Sequence, residues 1–193
     1  MTGKTPIAVL ISGRGSNLQC LIDACAAEDY PARIVAVISN RPDAYGLERA
    51  REAGISAIAI DHKAYASRES FEAALDAALR EAGAEFVCLA GFMRILTEGF
   101  VNQWDGRMIN IHPSLLPKFK GVDTHKRAIE AGESEHGCTV HWVTPGMDEG
   151  PVIAQARVPV LPGDTPETLA ARVLVEEHRL YPEALKLALG KSL

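Results

Sequence analysis

The stretch Ile7-Ala8-Val9-Leu10-Ile11-Ser12-Gly13-Arg14-Gly15-Ser16-Asn17-Leu18 decides how the rest of the chain is read. Its aliphatic run does not alternate with polar residues. It therefore predicts a strand buried on both faces, the pattern of a parallel sheet rather than a half-solvated one. Ser12-Gly13 ends the run, and from Asn17 the period changes. Leu18, Leu21, Ile22 and Cys25 recur at helical spacing, which predicts a helix over residues 17–27. Strand, glycine turn and helix in that order open a β-α-β arrangement.

The same alternation continues along the chain. Residues 34–39 are a second apolar run, Asn40-Arg41-Pro42-Asp43 a loop, residues 46–53 a short helix closed by Gly54, and residues 56–60 a third strand. Ser67 is placed to cap a helix running to residue 82, with Gly83 just past its end, and residues 86–90 give a fourth strand. The second half differs. Residues 107–111 read as a strand, but Pro113-Ser114-Leu115-Leu116-Pro117 excludes a helix directly after it. A short helix over 124–131 stops at Gly132. Residues 137–143 and 152–158 are two strands, and the short connection 144–150 makes them antiparallel neighbours. Thr165-Pro166-Glu167 starts the last helix with a cap, a proline in first position and an early acid; a kink is expected at Pro182 and an end at Gly190. The prediction is α/β: a single domain over residues 1–193, with a mixed, mainly parallel sheet flanked by helices and an antiparallel hairpin in its C-terminal half.

Of 193 residues, 47% are hydrophobic and 23% charged, which excludes a disordered tail or a collagen-like repeat. With 20 Lys and Arg against 25 Asp and Glu, the net charge is −5. Broad electrostatic binding to nucleic acid or an anionic membrane is therefore not expected, while a local basic pocket for a small anion stays compatible. No window approaches a membrane span, and the early apolar run is too short for a signal peptide. Cys20, Cys25, Cys88 and Cys138 show no Cys-x-x-Cys spacing, so reduced, buried thiols in a cytoplasm are the simplest reading.

Three places could carry chemistry. The turn Ser12-Gly13-Arg14-Gly15-Ser16-Asn17 falls at the carboxyl edge of the predicted sheet, where glycines and free N–H groups at a helix start suit a phosphate. It lacks the Gly-Lys-Ser/Thr of a P-loop and the third glycine of a dinucleotide fingerprint, so a plain tight turn is the competing reading. In Asn110-Ile111-His112-Pro113, strand periodicity puts Asn110 and His112 on one face. An amide beside an imidazole can donate to a carbonyl oxygen that becomes negative during acyl transfer; the alternative is a histidine that merely fixes the proline loop. Asp148, between Gly146 and Gly150, could orient His112 or relay protons, but from the residues alone a turn role is favoured. His136, Cys138 and His141 do not share a face of their strand, which argues against a metal site. His62, His125 and His178 lie in polar contexts and are given no chemistry, and Arg68 and Arg94 read as solvated unless an anion meets them.

Taken together the motifs resemble the phosphoribosylglycinamide formyltransferases. Val9 to Gln19 looks like that family's opening, and the stretches 89–96, 110–117, 136–141 and 147–153 resemble further blocks in the family's order. The resemblance implies a Rossmann-like formyltransferase fold, 10-formyltetrahydrofolate as co-substrate, and a ribonucleotide carrying a glycyl amine as acceptor. It implies Asn110, His112 and Asp148 as the catalytic set. Gly15, Ser16 and Asn17 match the family's phosphate-binding turn, and Glu177 a nucleotide contact. Arg68, Met93, Arg94, Ile95, Leu96 and residues 144–148, Thr144 and Asp148 among them, match folate-contacting positions. No metal is implied, the partners are small molecules only, and monomer and homodimer stay open.

Methionyl-tRNA formyltransferase and formyltetrahydrofolate deformylase share an Asn-His-Asp site. The former is expected to need a further C-terminal RNA-binding domain and the latter a regulatory domain before the first strand. A nucleotide-binding module without catalysis is the reading from a different class, and a formyl-transfer assay separates it from the enzymes.

Overall fold

The computed structural model describes residues 3–190. Its seven-stranded sheet has the order β3-β2-β1-β4-β5-β6-β7. The strands are β1 (Thr5–Ile11), β2 (Ala32–Ser39), β3 (Ala57–Ala59), β4 (Phe86–Leu89), β5 (Met108–His112), β6 (Glu135–Trp142) and β7 (Val152–Pro159). β1 to β5 pair in parallel, whereas β6 runs antiparallel to both β5 and β7. The mixed, mainly parallel α/β sheet with its C-terminal hairpin is the one the sequence predicts.

The opening run forms the middle of the molecule. Ile7, Val9 and Ile11 enter one hydrophobic cluster, and Ala8 and Leu10 enter the other on the opposite face. A strand covered on both sides can be aliphatic throughout, which is why the run does not alternate. The first face is covered by α1 (Ser16–Cys25), α2 (Tyr45–Glu52), α5 (Thr124–Glu130) and α6 (Pro166–Gly190), the second by α3 (Arg68–Glu81) and α4 (Glu98–Gln103).

Several helix ends follow from local rules. Ser67 caps α3 in a reciprocal box with Ser70, and Gly83 beyond it has φ 75°. α4 has no counterpart in the sequence reading: it is six residues long and contains Gly99, too short for a period to be seen. Thr97, which caps it, is the signal that was there. α6 runs on through Pro182, whose carbonyl accepts a 2.7 Å hydrogen bond from the Tyr30 hydroxyl.

The strand order reverses between β1 and β4, since β2 and β3 lie to one side and the chain returns to add β4 on the other. In open α/β sheets the crevice at the carboxyl ends of such strands is the ligand site. None of the described helices is long and apolar enough to cross a membrane.

Candidate active site

A cavity of about 940 Å³ opens at this reversal, lined by the start of α1, the ends of β4 and β5, the β6–β7 loop and α6. That is the volume of a small-molecule site rather than a packing defect.

His112 ends β5 and is buried, 6% exposed. Its Nε2 lies 2.9 Å from the Phe119 carbonyl. A carbonyl can only accept, so Nε2 carries the hydrogen. Nδ1 points the other way, 3.6 Å from Asp148 Oδ2. Phe119 has φ 53°, in the left-handed region that a bulky side chain rarely adopts. The loop that contains it is pinned from behind: the Thr139 hydroxyl donates to the Ser114 carbonyl at 2.7 Å and accepts from the Leu116 N–H at 3.1 Å.

Asp148 also has a positive φ, 54°. Its Oδ2 accepts from the Gly121 N–H at 2.9 Å, and its Oδ1 stands 3.9 Å from His141 Nε2. The carboxylate thereby ties the β6–β7 loop to the segment after β5.

Asn110 sits directly across from His141 in the β5–β6 register. Its Nδ2 donates to His141 Nε2 at 3.3 Å, and His141 Nδ1 donates to the Trp142 carbonyl at 3.0 Å. Those two bonds define a neutral imidazole, and burial pushes the His141 pKa down, in the same sense. The second N–H of Asn110 remains for the cavity. His141 is the site residue that the sequence reading missed. The sequence argues against a metal role for it and places it in the 136–141 block without a role of its own, and its link to Asn110 appears once β5 and β6 are paired. Among the described residues no cluster of three or more His, Cys, Asp or Glu is arranged to hold a metal ion.

At the other end of the cavity, Asn17 Nδ2 donates to Glu177 Oε1 at 3.2 Å. Burial raises the Glu177 pKa, while this hydrogen bond lowers it less. Asn17 Oδ1 is buried without a partner, leaving an acceptor beside the cavity. Gly15 is the N-cap of α1, with φ 76°. Gly15 and Ser16 flank the cavity without lining it, whereas Asn17 and Glu177 line it.

Met93, Arg94, Ile95 and Leu96, after β4, form one wall, and Thr144, Met147 and Asp148 the facing one. Met93 and Ile95 are exposed, 70% and 63%, so an apolar rim surrounds the mouth. The Met93 N–H donates to Ser12 Oγ at 2.8 Å, and the buried Glu72 carboxylate accepts from the Thr97 N–H and hydroxyl. These bonds hold both ends of the wall. Arg68 is not brought to the cavity: it is the first residue of α3 and exposed.

His125, given no chemistry from the sequence, also lines the cavity. Its ring meets that of His136 edge-on at 5.1 Å. Burial lowers both pKa values, that of His136 to about 4. The four cysteines are free. Burial pushes Cys25 up to about 11 and Cys20 and Cys138 up to about 12, so they pack rather than react.

A family model described as formyl transferase matches residues 5–185. The trifunctional purine biosynthetic protein adenosine-3 of Drosophila pseudoobscura pseudoobscura is 55% identical over 189 residues, covering 97% of this chain and 14% of that protein. The chain spans between 14% and 18% of the length of the trifunctional relatives it matches. The phosphoribosylglycinamide formyltransferase of Escherichia coli (strain K12) is 51% identical over 176 residues, 91% of this chain and 83% of that one. Among solved structures, glycinamide ribonucleotide transformylase 1 from Symbiobacterium toebii superposes with a TM-score of 0.94 at 52% identity, covering 97% of this chain and 89% of that chain.

Proposed function

The chain belongs to the formyl transferase family, and from that premise we propose that it moves the formyl group of 10-formyltetrahydrofolate to the glycyl amine of 5′-phosphoribosylglycinamide, a step of purine biosynthesis. The observation that carries this reading is the meeting of Asn110, His112 and Asp148 in one cavity, with Nδ1 of His112 turned toward Asp148 and away from the Phe119 carbonyl.

The neutral amine attacks the formyl carbon. A C–N bond forms, the carbonyl electrons move to oxygen, and collapse breaks the bond to folate N10. Asn110 donates its second amide hydrogen to the developing oxyanion. His112 donates through Nδ1. Because Nε2–H is already committed to Phe119, Nδ1 can donate only if the ring carries both hydrogens and hence a positive charge. Asp148 sits opposite that charge and balances it. The proton released by the amine passes to the departing folate nitrogen by way of Asp148 and water.

The apolar walls at 93–96 and 144–148 suit the flat, aromatic folate, with Arg94 near its acidic tail. The ribonucleotide lies at the Asn17–Glu177 end, its phosphate on the N–H groups of Gly15, Ser16 and Asn17. We read the sheet and its helices as one catalytic domain. One chain supplies every group named, so a monomer or a homodimer would each hold complete sites. Free thiols favour the cytoplasm as its compartment.

The test is formyl transfer by the purified protein, followed as formation of both tetrahydrofolate and formylated ribonucleotide. Both products should appear in equal amounts. Release of formate without the ribonucleotide would point to a deformylase, and a folded protein that transfers nothing overturns the reading.

A further inference from the structure

The backbone turn assigned to the phosphate is itself held by α2, an element with no part in the mechanism above. The Gly46 N–H donates to the Gly13 carbonyl at 3.0 Å. One turn further along α2, Arg49 Nε donates to the Arg14 carbonyl at 2.8 Å. Arg49 Nη1 reaches Gln19 Oε1 at 3.3 Å, and the guanidinium lies over the Tyr45 ring at 5.1 Å. The turn and α2 touch at bare backbone: a Cβ on Gly15 would fall 2.7 Å from Gly46 Cα and 3.4 Å from Arg49 Cδ.

Peptide planarity turns these tethers into a constraint on the binding face. In each peptide unit the carbonyl of one residue and the N–H of the next point in opposite directions. Fixing the Gly13 carbonyl toward α2 aims the Arg14 N–H away from it, and fixing the Arg14 carbonyl aims the Gly15 N–H away. The Gly15 carbonyl accepts from the Gln19 N–H at 2.9 Å, which likewise directs the Ser16 N–H outward from the helix start. Arg49 is the only side chain in this set, because the other two tethers are backbone to backbone. The Gly15–Gly46 contact also explains why the turn is glycine: the missing Cβ makes room for α2, not for the anion.

We propose that Arg49 is a positioning residue for the ribonucleotide phosphate: by holding the Arg14 carbonyl it keeps the N–H groups of the turn pre-aimed at a phosphate monoester. This rests on the phosphate assignment made under Proposed function. Pre-aimed donors cost no reorganisation on binding, so their loss appears in affinity for the phosphate and not in the chemical step.

The experiment compares the parent protein with Arg49→Met and Arg49→Lys, using the ribonucleotide and its dephosphorylated riboside as acceptors. For Arg49→Met, the ribonucleotide KM should rise about tenfold, with kcat and the folate KM within twofold of the parent. The kcat/KM for the riboside should not change, and inorganic phosphate should inhibit about tenfold more weakly. Arg49→Lys restores the charge but not the fork to Arg14 and Gln19, so it should recover less than half of the loss on a logarithmic scale. Full recovery by lysine would mean that charge alone acts and would overturn the tether. A KM within twofold of the parent for Arg49→Met, or equal losses with both acceptors, would overturn it as well. A parent enzyme indifferent to the phosphate would remove the phosphate assignment itself, whatever the variants do.

Discussion

The two ends of the cavity are built by different means. At the end proposed for the ribonucleotide the donors would be backbone N–H groups, set by a strand that stops, a glycine with φ 76° and a helix that starts, all within residues 11–17. At the end proposed for catalysis they are side chains brought from β5, β6 and two loops, and held by Phe119 and Asp148 in left-handed backbone. The donors of the first end come from one short backbone turn, braced by α2 and by Glu177; the second end depends on side chains brought together across dozens of residues. Damage at the first should therefore weaken binding, and damage at the second should slow the reaction.

The largest effect is expected where that contrast is sharpest. His112→Ala removes the charged donor while leaving the turn untouched. It should lower kcat by about 10²-fold or more, the scale of a lost oxyanion donor, with both KM values changed little. Steady-state kinetics at saturating substrates measure this, and near-normal turnover in a folded variant would sink the donor role. Asp148→Asn should come next, at about tenfold in kcat near neutral pH. Asparagine tolerates positive φ and still accepts from the Gly121 N–H, so the fold should stay intact. Without the carboxylate the site loses both the counter-charge facing His112 and the relay for the amine proton. A kcat within twofold of the parent at saturating substrates would reduce Asp148 to a loop tie.

The same contrast explains what could be read from the residues. β1 and its turn declare themselves because burial on both faces and helix initiation leave local signatures, and their repetition gives the parallel sheet though not its strand order. Asn110 and His112 share a face by simple alternation. Their partners are a different matter. His141 faces Asn110 only through the β5–β6 pairing, and the hairpin pattern carries no register. Phe119 acts through its carbonyl, so its side chain gives no hint. Arg68 came from family resemblance alone, and its place at the exposed start of α3 is apart from the cavity.

A smaller effect is expected at the local end. Gly15→Ala puts a Cβ against Gly46 and strains a positive φ. That should cost about 1–2 kcal/mol of stability. The ribonucleotide KM should rise several-fold while the folate KM stays put. Equal rises in both would mean that the two ends are not separable, and the contrast drawn between them would fail.

The smallest effect at neutral pH concerns His136, which supports the loop after β5 without touching the cavity chemistry. Its ring packs against His125 and Phe119, with Nε2 buried and unpartnered. Burial is the main reason its pKa falls from 6.5 to about 4, with nearby His125 lowering it further; the Pro113 carbonyl and Glu133 oppose the shift. A histidine whose folded pKa is lowered binds its proton more readily when unfolded. Its contribution is fully present above pH 6.5 and is lost as pH falls from there toward 4. The slope from this one group is at most about 1.4 kcal/mol per pH unit. His136→Phe keeps an aromatic ring and cannot titrate, and the Pro113 carbonyl retains the Thr124 hydroxyl as donor. Activity at pH 7.5 should stay within about twofold, while the fall in stability between pH 6.5 and 4 becomes shallower than in the parent. Urea unfolding at half-unit pH steps measures the two slopes. Identical slopes would mean that the acid sensitivity of this loop comes from other groups, with His125 beside it the first to examine.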